Sequence, residues 1–371
     1  MVTTLNEITD AGVSIWLDDL SRGRIASGGL ADYISRLNIR GVTTNPTIFE
    51  NAIASGSADY SEQIEKCAKA GLNADETVRL ITTDDVRDAC DLFMKTFEES
   101  GGIDGRVSIE VDPRLARDTQ GTIDSARDLW RLVDRPNVLI KIPATAEGLP
   151  AITAVIGEGI SVNVTLIFSV ERYQEVIDAY IAGLELANTN EIDLSSIQSV
   201  ASFFISRLDS SVDSALKEIG TDRALSLLGK AAISNARVAW QVHLDTLASI
   251  KWKQLSSAQV QRPLWASTGV KDPAYADTRY VMELIGPGCV NTMPEKTLLA
   301  VQDHGQFLGD TLSGMADASS SVLEELADIG IDLNQILAEL EVDGVDKFEA
   351  AWQQLLSAVD QALAKGSAST K

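Results

Sequence analysis

The chain has 371 residues, 45% hydrophobic but only 5% aromatic, enough apolar mass for one large domain or two modest ones. Its 31 Lys+Arg against 54 Asp+Glu give a net charge of −23. Such a surface repels nucleic acid and anionic membranes, and it repels anionic metabolites unless a site supplies its own cations.

The opening MVTTLNEITDAG has no basic stretch leading into an apolar core, so no signal peptide is expected. Eight strand candidates follow: VSIWL (13–17), RGVTT (40–44), RVSIEV (106–111), NVLIKI (137–142), ISVNVTL (160–166), IQSVASFF (197–204), RPLWAS (262–267) and CVNTM (289–293). Between them lie helix-like stretches such as LADYISRL, TTDDVRDACDLFMKTFEES, TIDSARDLWRLVD, SVERYQEVIDAYIAGLELA and a long 222–256 segment. Eight strand–helix alternations predict an α/β fold of the (β/α)8, or TIM, barrel type. A doubly wound open sheet is the main alternative, but RGRIASGG (22–29) has no GxGxxG phosphate fingerprint.

The interval between the second and third strands reads as a helical insertion, about 50–100, in a barrel spanning about 13–305. Beyond it, about 306–366 reads as a C-terminal helical extension that includes the amphipathic VDKFEAAWQQLLSAVDQALAKG (345–366). Without a low-complexity linker, residues 1–371 are expected to form one domain. Cys67, Cys90 and Cys289 are far apart and form no CxxC pair, which suits a reducing cytoplasm and argues against a disulfide framework or zinc cluster. His243 and His304 have no ligand-spaced partners, so the chemistry is expected to do without histidine. No apolar run approaches the roughly 18 residues of a membrane span.

Catalytic groups of such barrels sit at the C-terminal strand ends, and here those ends are polar. They carry Asp18 and Asp19, Thr43 and Asn45, Glu110 and Asp112, Lys141, Asn163 and Thr165, Ser202 with Phe204 and Arg207, and STGVK (267–271). Counting by two sets Ser14–Trp16–Asp18, Thr43–Asn45, Ser108–Glu110, Leu139–Lys141 and Ser161–Asn163–Thr165 on one face, with mainly Ile, Val and Leu on the other. Five strands agreeing on this split point to a shared polar cavity.

Lys141 closes an apolar strand. Burial there disfavours the ammonium and frees the lone pair for attack on a ketone, forming a Schiff base whose protonated imine is an electron sink for C–C cleavage. Carboxylates would carry the protons, and amides and hydroxyls would orient sugar hydroxyls. A metal on Asp18, Glu110 and Asp112 is a rival reading, weakened by the lysine cation competing for those carboxylates. Pyridoxal phosphate on Lys141, giving a yellow protein, and a non-catalytic sugar-phosphate-binding barrel are two more.

In order, WLDDLSR, GVTTNPTIFE, SIEVDPRLA, VLIKIPAT, SVNVTLIFS, SVASFFISRLD and WASTGVK resemble the transaldolases, most closely their longer bacterial type, over residues 13–296. The resemblance implies a class I Schiff-base enzyme of the cytoplasmic, non-oxidative pentose phosphate pathway, without metal or organic cofactor, acting as a monomer or homodimer. It would transfer a dihydroxyacetone unit among sedoheptulose 7-phosphate, glyceraldehyde 3-phosphate, erythrose 4-phosphate and fructose 6-phosphate.

By the same resemblance Lys141 is the Schiff-base lysine and Asp18 accepts the C4-hydroxyl proton. Glu110 and Thr165 hold the water of carbinolamine dehydration. Asn45 and Asn163 hold the dihydroxyacetone hydroxyls, Thr43, Ser202 and Phe204 line the pocket, and Arg207 binds phosphate. A second phosphate arginine is replaced by STGVK, which makes Lys271 the candidate, with Arg279 behind it and the backbone around Gly269 assisting. A fructose 6-phosphate aldolase, releasing free dihydroxyacetone, is the nearest rival. Two roles stand open for the insertion and extension: covering the mouth, or a subunit contact.

Overall fold

In the computed structural model, which describes residues 3–55 and 57–368, all eight predicted strands form. They are β1 (Ser14–Leu17), β2 (Gly41–Val42), β3 (Arg106–Glu110), β4 (Val138–Pro143), β5 (Val162–Ile167), β6 (Ser199–Phe204), β7 (Arg262–Ala266) and β8 (Val290–Met293). They close in sequence order into a barrel in which every neighbouring pair is parallel, β1 pairing with β8. Strand side chains alternate, so Ile109, Ile140, Ile142, Val162 and Val164 are buried against the helical ring while Ser108, Glu110, Lys141 and Asn163 occupy the other parity.

The strand β2 is short for a local reason. Trp16 is fully buried and lies across it, and a Cβ on Gly41 would meet the Trp16 ring at 2.5 Å and the Arg106 carbonyl at 2.7 Å. Glycine there lets the backbone run against the indole. Two residues further on, Thr43 leaves the ladder for the mouth.

The predicted insertion resolves into helices Pro46–Ser55, Ser57–Lys69 and Ala74–Glu99. The last begins at a capping box, Asn73 with Glu76, and packs on β3 as an ordinary barrel helix, so only the first two are additions. The extension holds helix Ala316–Asp328 and the 36-residue helix Leu333–Ala368, about 54 Å long at helical rise. That last helix packs against both added helices and reaches β5. Of the two roles left open by the sequence, the extension has the first: it lies over the mouth, and its Phe348 forms part of the cavity wall. Among the described residues no helix is long and apolar enough to cross a membrane.

Candidate active site

At the C-terminal ends of the strands a cavity of about 90 Å³ is walled by Asp18, Thr43, Asn45, Lys141, Thr165, Ser202, Phe204, Arg207, Ala266, Ser267, Thr292 and Phe348. Its lysine is built in from below. Lys141 is 4% exposed, and its Nζ donates to the Thr44 carbonyl at 3.0 Å and to Glu110 Oε2 at 3.2 Å. The β3–β4 register sets Glu110 directly opposite Lys141, so the contact follows from strand pairing. Burial drives the Glu110 carboxyl up to about 7, against the pull of Lys141, which lowers it. A carboxyl so placed can give or take a proton near neutrality.

Asp18 stands where β1 ends. Thr43 donates its hydroxyl to Asp18 Oδ1 at 2.6 Å, so in the 2.7 Å contact between Thr43 and Thr292 the hydrogen belongs to Thr292. Burial raises the Asp18 carboxyl above its ordinary value, while the Thr43 bond, Lys141 and Arg207 act in the opposite direction. Asn45 accepts from the Ile48 amide at 3.0 Å and opens the helix Pro46–Ser55. Thr165 faces the cavity with a buried hydroxyl that finds no hydrogen-bond partner among the described residues. It precedes Leu166, a non-glycine residue at φ 60°, where the β5–β6 register slips. Ser267, also lining the cavity, sits at φ 56°. Strained backbone at two strand ends is a feature of functional sites.

Four expected residues lie outside that wall: Glu110, behind Lys141, lines a separate cleft with Asp112, Lys271 lines another, and Asn163 and Arg279 line none of these. Asn163 is not in the wall: one layer below Thr165, it accepts from Ser202 at 2.7 Å and donates to Ser108 at 3.0 Å. In that position it orients Ser202, which does face the cavity. Arg279 lines neither the cavity nor the cleft that holds Lys271. Its guanidinium lies over the Tyr275 ring at 4.7 Å and donates to the Gly229 carbonyl, away from the mouth. Asp112 turns outward to cap the turn after β3 and bind Arg114, and Asp19 pairs with Arg24 at 2.7 Å. Neither joins the cavity. Of the two histidines, His243 is buried beside Trp240, and exposed His304 bonds Asp277. The three cysteines are free and buried, and among the described residues no three His, Cys, Asp or Glu are grouped to hold a metal ion.

Arg207 and Lys271 share a larger cleft of about 720 Å³ beside the cavity, with Ser210, Ser211, Lys347, Glu339 and Asp343 among its other walls. Arg207 belongs to both spaces. Its guanidinium lies 5.1 Å over the Phe204 ring, and its buried Nη1 has no acceptor among the described residues. The sequence reading named Ser267 only within STGVK, and it missed Thr292, the Thr44 carbonyl and Phe348. Thr292 could have been found, since β8 carries the same inward alternation; a backbone carbonyl leaves no trace in sequence.

A small chamber with a buried lysine, a carboxyl raised by burial and a cation at its exit, and a second raised carboxyl behind the lysine, is the site of a (β/α)8-barrel enzyme. Residues 15–359 match the model of the family described as transaldolase/fructose-6-phosphate aldolase. A transaldolase of Mycolicibacterium smegmatis is 56% identical over 356 residues, covering 95% of this chain and 96% of that one. A Thermobifida fusca transaldolase is 54% identical over 366 residues (98% and 99%), and transaldolase 1 of Streptomyces coelicolor is 56% identical over 361 (97% and 94%). The chain belongs to this family, and it is an enzyme of the transaldolase type.

Proposed function

We propose that the protein transfers a dihydroxyacetone unit between sugar phosphates through a Schiff base on Lys141. The donors would be sedoheptulose 7-phosphate or fructose 6-phosphate and the acceptors glyceraldehyde 3-phosphate or erythrose 4-phosphate, as in the non-oxidative pentose phosphate pathway of the cytoplasm. The observation that carries this reading is the Lys141 amine, buried at the cavity wall with Glu110 at 3.2 Å.

The Lys141 nitrogen attacks the C2 ketone of the donor. Glu110 supplies the proton with which the C2 hydroxyl of the carbinolamine leaves as water, held near Thr165. Asp18 then takes the C4-hydroxyl proton, the C3–C4 bond breaks, and its electrons flow into the protonated imine. The aldose phosphate departs and an enamine stays on Lys141. A second aldose phosphate enters, and the steps run in reverse. The imine is the electron sink, so the route uses no metal or organic cofactor.

Thr43 and Thr292 fix Asp18, while Asn45 and Ser202, the latter oriented by Asn163, hold the three-carbon hydroxyls. The chamber is small beside its neighbouring cleft, which suits reacting carbons inside and the phosphorylated tail outside, on Arg207 and Lys271. These cations are the local exception an acidic protein needs for an anionic substrate. The wall comes from one chain, so a monomer or a homodimer could work.

Borohydride reduction in the presence of fructose 6-phosphate, followed by peptide mass mapping, tests the reading. A three-carbon or whole-sugar adduct on Lys141 is expected. Unmodified Lys141 in an active preparation would remove the imine from the mechanism.

A further inference from the structure

We infer that Phe348, on the C-terminal helix, decides the fate of the three-carbon intermediate by shielding the enamine on Lys141 from protonation by water. This rests on the Schiff-base reading above. Its ring lies over Lys141 Nζ, 5.1 Å from Nζ to the ring centroid, and the residue is 5% exposed. It is a wall of the cavity contributed from outside the barrel's strands and their connecting loops.

The helix is fitted to put it there. Gly344 is one turn earlier on the same face, in the interior of a 36-residue helix where glycine is disfavoured. A Cβ at 344 would meet Leu166 Cδ2 at 3.1 Å and the Phe168 ring at 3.4 Å. Glycine therefore lets the helix settle on the strained end of β5, and the next turn delivers Phe348 onto the lysine. Ion pairs lie on either side: Arg172 with Glu341 at 3.3 Å and Arg117 with Asp346 at 3.9 Å. Phe204, tilted against Phe168 at 5.2 Å, continues the aromatic cover to the exit at Arg207.

The chemistry gives this cover a task. After C3–C4 cleavage the enamine either attacks an aldehyde or takes a proton on carbon to become an iminium. Water adding to C2 of that iminium gives a carbinolamine; the C2–N bond then breaks, dihydroxyacetone leaves and the amine is restored. One water is consumed and nothing is oxidised or reduced. The same hydrolysis at C2 frees the ketose product of transfer, so the two fates part at protonation of the enamine carbon; an apolar ring over the nitrogen keeps water, the proton donor for that step, off the enamine. Transfer is thereby favoured over release.

The ratio of release to transfer tests this, since a ring that only anchors the helix would not move it. With fructose 6-phosphate and no acceptor, the wild-type protein should yield about one equivalent of glyceraldehyde 3-phosphate per site and then stop. Phe348→Ala should continue, forming free dihydroxyacetone with a release-to-transfer ratio raised about tenfold or more. Phe348→Leu, which keeps most of the bulk, should fall between. Gly344→Ala, which lifts the helix with Phe348 intact, should shift the ratio the same way. These two variants carry the test if the alanine variant does not fold. An unchanged ratio in the folded Phe348 variants would overturn the proposal. Absence of a borohydride adduct on wild-type Lys141 would instead overturn the Schiff-base reading beneath it.

Discussion

The two ends of the barrel bury similar groups and use them in opposite ways. At the floor, Arg262 donates to Asp104 at 2.9 Å and to the Gly288 carbonyl at 2.9 Å, and Ser14 also donates to Asp104, at 2.6 Å. Arg106 nearby donates to the Gly102 and Pro136 carbonyls, and Asn137 donates to those of Cys90 and Gly105. Each floor cation meets a carboxylate or several fixed carbonyls. At the mouth, Glu110 and Asp18 have carboxyls raised by burial, while Thr165 and Arg207 hold polar atoms with no partner among the described residues. Buried charge alone is therefore no mark of a site. Unpartnered atoms occur at the floor too, at Asn137 Oδ1 and Arg40 Nε; what distinguishes the mouth is that Asp18, Lys141 and the unpartnered Thr165 and Arg207 face one cavity.

The largest effects should come from breaking each end in turn. Lys141→Arg removes the nucleophile, because guanidinium stays protonated. Transfer should fall on the order of 10⁴-fold or more, with no borohydride adduct and little change in melting temperature. Asp104→Ala leaves Arg262 without its carboxylate and should destabilise the fold by about 3 kcal/mol in chemical denaturation, while kcat per folded molecule is retained. If the two variants showed the same pattern of loss, the contrast between the ends would collapse.

Within the mouth, Asp18→Asn should still form the imine but stall at cleavage. Turnover should drop by about 10²–10⁴-fold while the trapped adduct accumulates; equal loss of both steps would contradict the assigned role. For Glu110 the expectation is a pH signature. Its folded carboxyl is held at about 7, above the ordinary 4.5. Its contribution to stability is therefore fully present below pH 4.5 and lost as pH rises through about 7. Over the same upper range the acid needed for dehydration disappears, so kcat should decline above about pH 7. Glu110→Gln should flatten both dependences, and an unaltered high-pH limb would take Glu110 out of the proton relay.

The parts of this architecture carried by local alternation were legible. All eight strands, and the inward placement of Asp18, Thr43, Glu110, Lys141 and Thr165, follow from a two-residue period that sequence displays directly. Depth was less visible: Asn163 has the right parity but sits one layer too low, because parity fixes a face and not a height. Phe348 was hidden differently. Its helical spacing reads as an ordinary core position, and only the packing of the last helix across the barrel turns it toward Lys141. Gly344, an interior glycine in an otherwise good amphipathic helix, was the available signal. Lys271 and Arg279 could not be separated by position, since both follow β7. The aromatic rings of Tyr275 and Tyr280 and the Gly229 carbonyl that hold Arg279 are visible only in three dimensions.

The smallest expected effects lie in the outer cleft, and they sharpen the contrast between chamber and cleft. Arg207 stands at the junction with a guanidinium nitrogen that has no acceptor among the described residues, so Arg207→Ala should remove a charge-assisted contact worth about 1.5–3 kcal/mol. KM for phosphorylated donors should rise by roughly 10–150-fold at nearly constant kcat. Lys271 is exposed and shares its cleft with Glu339 and Asp343, so screening should reduce its share. Lys271→Ala should raise KM only a few-fold, and added salt should diminish that difference. Dihydroxyacetone transfer from fructose to glyceraldehyde, neither of which carries a phosphate, should respond to neither substitution. A Lys271→Ala effect equal to that of Arg207→Ala and insensitive to salt would mean that the phosphate is gripped in a dry, closed site, and the division into inner chamber and open cleft would have to be redrawn.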